Sequence, residues 1–109
     1  MYTLIQVRCG DAPGEESRVQ QDKVPDFSKL QKFVGGPLET VPFFDHFEGK
    51  KAVAFCHEEG KLEGRPINKV ATALWFREIG LTMARELNDI LVGNIVIIQC
   101  DTQEEIDRL

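Results

Sequence analysis

No apolar run in this chain extends beyond a few residues, and Ile95-Val96-Ile97-Ile98 is among the longest. A helix that crosses a bilayer needs about 20 such residues, so no membrane partner is expected. Met1-Tyr2-Thr3-Leu4-Ile5 has no basic stretch followed by a long apolar one, and an export signal is not expected either. Cysteine is scarce and odd in number. Cys9, Cys56 and Cys100 have no CxxC spacing, which argues against a disulfide framework and fits a reducing cytoplasm. A zinc site built from these thiols and His57 would require distant strand ends to meet, with no local ligand pair to anchor it; no metal and no cofactor is expected. Ser17 and Ser28 are the only serines, both in ordinary surface sequence, so no nucleophile stands beside a base. Walker A, GxGxxG, HExxH and EF-hand spacings are all missing. Basic excess is missing too. Thirteen Lys and Arg face 18 Asp and Glu, for a net charge of −5, which disfavours nucleic acid as a partner. The two signs are interleaved, so the surface does not imitate DNA either, and the acidic block from Asp101 to Asp107 reads as a solvated helix start.

What is present amounts to a single domain, residues 1–109, with one modest core. Tyr2 to Cys9 alternates as a strand, with Thr3, Ile5, Val7 and Cys9 on one side and Tyr2, Leu4, Gln6 and Arg8 on the other. Gly10 to Glu16 reads as a loop, and Arg18 to Val24 as a polar edge strand. Asp26 caps a helix whose apolar face is Phe27, Leu30, Phe33 and Val34; Gly35-Gly36 ends it and Pro37 prevents resumption. Leu38 to Phe44 is a strand broken by Pro42, at an edge or bent, and Lys51 to Cys56 is a buried strand. Ile67, Val70, Ala71 and Leu74 recur at helical spacing, predicting a helix over 67–76. A second helix follows Gly80, with Thr82 as its cap. Asn94 to Gln99 is a buried strand, and Thr102-x-x-Glu105 is a capping box on too few residues for a helix to stand alone. The order predicts an α+β fold: a small antiparallel or mixed sheet of four to five strands, with helices packed mainly on one face. Trp75 falls beside the apolar stripe of its helix, which places it partly exposed, as at a subunit interface. Phe43, Phe44 and Phe47, flanking Asp45 and His46, read as core residues at a strand end.

The stretch Phe55 to Asn68 concentrates chemistry: seven ionisable side chains in fourteen residues, with Gly60, Gly64 and Pro66 as punctuation. His57-Glu58-Glu59 has two readings, a polar turn or a site where His57 and Glu59 share a face for acid–base work. Lys61, Arg65, Asn68 and Lys69 gather near a helix N-terminus, a natural place for phosphate or carboxylate. The alternative is that Asn68 merely caps the helix while the cations are solvated.

Three separated motifs, Leu30-Gln31-Lys32-Phe33-Val34-Gly35-Gly36 with Leu38-Glu39-Thr40-Val41, His57-Glu58-Glu59-Gly60-Lys61-Leu62-x-Gly64-x-Pro66-x-Asn68, and Asp89-Ile90-Leu91-Val92-Gly93, resemble a family of small domains of unknown function from bacteriophages and other mobile elements of bacteria. The family pattern has Asn, Leu and Arg where this chain has His57, Arg65 and Lys69. The resemblance implies a protein that works by binding, either a host protein or a small signalling molecule.

The resulting expectation is a non-enzymatic binding protein in the bacterial host cytoplasm. It would sequester an anionic or nucleotide-like small molecule, as anti-defence proteins do, through His57, Glu58, Glu59, Lys61, Arg65, Asn68 and Lys69. The alternatives are a module that docks on a host protein, and a small enzyme using His57 with Glu59. A core this small gains from added burial, so a homo-oligomer is expected, pairing through the edge-like strands around Val19 and Val41.

Overall fold

A computed structural model describes residues 1–10 and 16–109, so most of the expected loop at Gly10 to Glu16 lies outside the described residues. The strands are β1 (Tyr2–Val7), β2 (Glu16–Gln21), β3 (Leu38–Thr40), β4 (His46–Phe47), β5 (Lys50–His57) and β6 (Ile95–Cys100). The helices are α1 (Phe27–Val34), α2 (Lys69–Ile79), α3 (Leu81–Leu87) and α4 (Gln103–Asp107). The strands form one antiparallel sheet in the order β2-β1-β6-β5-β3, with β4 also on β5.

The α+β class and the antiparallel sheet are as the sequence predicts, but the sheet has six strands rather than four to five. The extra one is β4, which the sequence disguises as a connection. Pro42 and Phe43, the latter at φ +60°, break the edge strand. Pairing resumes at His46↔Lys51 and closes through Glu48-Gly49. Both of those residues have positive φ, the geometry of a tight type I′ hairpin.

Helices also cover both faces of the sheet rather than mainly one. On one face Ile5, Val7, Ala52, Ala54, Ile95 and Ile97 pack with Ala71 and Trp75 of α2 and Leu87 of α3. On the other, Tyr2, Phe55, Val96, Ile98 and Cys100 pack with Leu30 and Val34 of α1 and Ile106 of α4. The unbroken apolar run of β6 is the cause. Every residue from Ile95 to Cys100 is buried, and a strand so apolar must be shielded on both sides. Fully burying each Ile or Val side chain contributes roughly 1.5–3 kcal/mol, which makes β6 the axis of the molecule.

Caps decide the helix ends. The Asp26 carboxylate accepts from the Ser28 N–H, and Gly35, left-handed at φ +102°, closes α1 as its sequence predicts. Residue 67 is not helical: α2 starts at Lys69, capped by Asn68. The cap of α3 is Gly80 rather than Thr82. The capping box of Thr102 and Glu105 is formed, and Ile106 ties the short α4 to the core. Trp75 is 0% exposed. Its indole N–H donates to the Pro42 carbonyl at 2.9 Å, which fixes α2 against the bent edge and removes the residue from any interface. Phe44 and Phe47 are core residues, whereas Phe43 is exposed.

Candidate functional site

From His57 to Arg65 the chain winds into a compact turn rather than an open loop. The Gly60 N–H donates to the His57 carbonyl, the Glu63 N–H to Glu59, and the Arg65 N–H back to Gly60. This satisfies backbone groups that an irregular segment beside the core would otherwise leave unpaired. Gly60 lies buried against Val92.

His57 is 6% exposed. Its Nδ1 accepts the Glu59 N–H at 2.9 Å, so in the neutral ring the proton sits on Nε2. Nε2 lies 3.4 Å from a Glu63 carboxylate oxygen. The other side of that nitrogen is occupied by Gly36, where even a methyl group would overlap the ring. Arg65 completes the same layer. Its guanidinium donates to the carbonyls of Val34 and Gly35 at 3.5 and 3.3 Å, the negative end of α1, and pairs with Glu63. Gly35 and Gly36 therefore form the platform on which the turn is seated.

Asn68 is 2% exposed and fully engaged. Its Oδ1 accepts the Ala71 N–H at 3.0 Å, and its Nδ2 donates to the carbonyls of Val7 and Gly93 at 3.0 and 2.8 Å. The backbone around it is stitched to the Asp89–Gly93 segment: the Asn68 N–H donates to Leu91, the Gly93 N–H to Pro66, and Ile67 bridges Val92. The three motifs that are separate in the sequence thus meet in one place.

Beside this junction, on the α2 face of the sheet, lies a cleft of about 160 Å³. Cross-strand pairing builds one wall. Glu39 stands opposite Cys56, and the Glu58 N–H extends the ladder to Pro37. By the alternation of the pleat, Glu39, Cys56 and Glu58 face the same side. Pro42, Trp75, Leu91 and Val92 give the cleft an apolar lining, while Lys61, Leu62, Asp89 and Ile90 complete the opposite side. Leu62 is 90% exposed. Burial, with the Glu39 charge adding to it, pushes the Cys56 thiol up to about 11.

Lys61 forms an ion pair with Asp89 across the rim. Burial works to raise the Asp89 carboxyl, but the hydrogen bonds from Lys61 and from the Ile90 N–H outweigh it and hold the group below its ordinary 3.8. A depressed carboxyl stabilises the fold above its unfolded value and ceases to do so as pH falls through the lower folded value. Asp89→Asn, which keeps an oxygen to cap Ile90, is expected to flatten the acid limb of stability below that 3.8. Both partners are more than a third exposed, so at neutral pH the loss stays under about 1 kcal/mol. Urea melts across an acid pH series check both.

Of the residues expected to form a site, His57, Glu58 and Lys61 line the cleft. Glu59 and Lys69 are exposed outside its lining, Arg65 is spent on α1, and Asn68 is interior. Lys69 forms no ion pair among the described residues. Glu39, Glu63, Asp89 and Ile90 were not among the expected site residues, and Cys56 was weighed only as a zinc ligand. Glu39 had a signal: an acidic residue three before an edge-breaking proline, paired to the strand that ends at the polar turn. Among the described residues no group of three His, Cys, Asp or Glu side chains is arranged to hold a metal ion.

Residues 11–109 match the family model described as a domain of unknown function, DUF3846, and the chain belongs to that family. No curated protein and no solved structure matches it.

Proposed function

We propose that this DUF3846 domain is a non-enzymatic binding module whose cleft docks on a partner protein, in the cytoplasm of a bacterial host, with a phage or other mobile element as its source. The observation that carries the reading is the form of the cleft: acidic at the rim, apolar in lining, and small. Sites for drug-sized ligands and cofactors occupy about 300–1,000 Å³, well above the 160 Å³ here. A protruding side chain fits that volume. Leu62 and Ile90 are exposed at the rim, and apolar groups so placed favour contact with another protein surface.

The small-anion alternative draws its support from Lys61, Arg65 and Lys69. The first two are already held by Asp89 and Glu63, and an anion would have to displace those carboxylates. The acid–base alternative needs His57 to exchange protons with a substrate, yet the ring is buried with both nitrogens facing protein groups. Self-association finds support in the contrast between the sheet edges. The β3–β4 edge is short and broken, whereas β2 presents six residues in regular pairing with an exposed Val19, and no described strand covers its outer edge, which suits pairing with a further strand.

The test places a photo-reactive side chain at Leu62, and at Phe43 as a control outside the cleft, in cells of the host. Capture of the same protein at Leu62 and not at Phe43 is expected, with native mass spectra of unlabelled protein free of added mass. A bound species of nucleotide mass that disappears on Lys61→Ala or Arg65→Ala would instead establish the small-anion reading. The same spectra report the oligomeric state.

A further inference from the structure

We propose that the occupant of the cleft is a lysine side chain on the partner protein, an inference that rests on the docking reading above. The rim carries the carboxylates of Glu39, Glu58 and Asp89 and the ammonium of Lys61, so three negative charges face one positive and the formal balance is −2. Lys61 neutralises Asp89, and Glu39 and Glu58 are left without a cation among the described residues.

The placement of those two carboxylates follows from the ladder. Glu39 is opposite Cys56, and Glu58 is two residues further along the same side. Such diagonal neighbours stand about 7–8 Å apart at the backbone, a separation that two flexible glutamates close around one ammonium. Complementary charge of this kind selects a partner and sets the orientation in which it docks.

The interior selects the stem. A cavity of about 150 Å³ accepts a benzene-sized apolar group, and the 160 Å³ here matches an unbranched four-carbon chain. A lysine buries its methylenes along apolar surface while its charged end stays at the edge, with the exposed Pro42 and Ile90 of the cleft lining as that surface. A guanidinium is broader and planar, and is the bulkier fit for so small a volume. The chain supplies its own precedent, since the Lys61 ammonium already rests on this rim through Asp89. A phosphate, a nucleotide or an acidic peptide would meet repulsion from the same two glutamates.

The experiment titrates isotope-labelled protein with three capped tripeptides, alanine-lysine-alanine, its side-chain-acetylated form, and the isosteric norleucine form, while backbone amide resonances are followed. The lysine peptide is expected to shift residues 39–42, 56–58 and 89–92 and to bind about tenfold more tightly than the acetylated one, a difference of roughly 1.4 kcal/mol. Glu39→Gln with Glu58→Gln should abolish that preference with the melting temperature unchanged, because both side chains are exposed. Equal binding of the acetylated or norleucine peptide at the cleft would overturn the lysine inference and leave the docking reading intact. No shift at the cleft with any of the three, up to their solubility limits, would overturn both.

Discussion

Asn68→Ala is expected to destabilise the fold by about 3–5 kcal/mol, the largest effect of any single polar substitution in the 57–69 segment. The figure adds the loss of a helix cap, about 1 kcal/mol, to two buried carbonyls deprived of their donor, at about 1–2 kcal/mol each, the lower part of the range for such groups. For a chain of this size the melting temperature should fall by on the order of 15 °C. The effect is large because one side chain joins three elements: it caps α2, holds the end of β1 through Val7, and holds the approach to β6 through Gly93. Asn68→Asp separates the contributions. It retains the acceptor for the Ala71 N–H but sets a carboxylate against two carbonyls, and should be at least as damaging at neutral pH. Differential scanning calorimetry of the two variants decides the matter. A drop of less than about 2 °C in Asn68→Ala would mean that the junction is held by its backbone bonds alone. A ligand-contact residue would have shown the opposite pattern, lost binding on an intact fold.

Gly36→Ala should be the second large effect, about 2–4 kcal/mol, and it carries a signature that distinguishes it from its neighbour. At Gly36 a methyl group collides with the His57 ring, and the cost is overpacking. At Gly35 the methyl would fall 2.7 Å from an Arg65 nitrogen, and the backbone is also left-handed at φ +102°, a conformation that penalises any L side chain. Removing the obstruction therefore rescues one position and not the other. Gly36→Ala combined with His57→Ala should recover at least half of the single-variant loss, because the new methyl enters space the imidazole vacates. Gly35→Ala combined with Arg65→Ala should recover little. Double-mutant cycles by chemical denaturation measure both couplings. Additive losses at Gly36 and His57 would overturn the platform described for these residues.

These two residues also show what the sequence discloses and what it withholds. Local signals carried well: Asp26 and Gly35 bracket α1, Thr102 and Glu105 form their box, and the alternation of Tyr2 to Val7 assigns each side chain to its face. Each depends on neighbours a few positions away. The unbroken run of β6 held the information that both faces are covered. Reading it required knowing that α1 and α2 approach from opposite sides, which the connections decide and the residues do not. The site was harder. A basic side chain looks available to a ligand until its partner is found, and the partners of Lys61 and Arg65 lie at Asp89 and Gly35, some 28 and 30 positions away. Glu63, wedged between His57 and Arg65, is only two positions from Arg65 and was hidden instead by the compact turn that brings the three side chains together. Density of charge in a segment marked the right region, while burial decided which charges remain for a partner.

The position of β6 in the chain has a consequence for synthesis. The strand at the centre of the sheet is the last to be made, since Ile95–Cys100 pairs with β1 on one side and β5 on the other. At translation rates of about 5–20 residues per second, β1 waits roughly 5–20 s for the strand it must join. Until then β1 has only the polar β2 beside it, and β5 has only the short β3 and β4 on its outer edge. The nascent chain cannot assemble its core piecemeal from the N-terminus. Folding of this domain is deferred until Ile95–Cys100 has left the ribosome, and a transcript that stops short of Ile95 yields a chain without an axis.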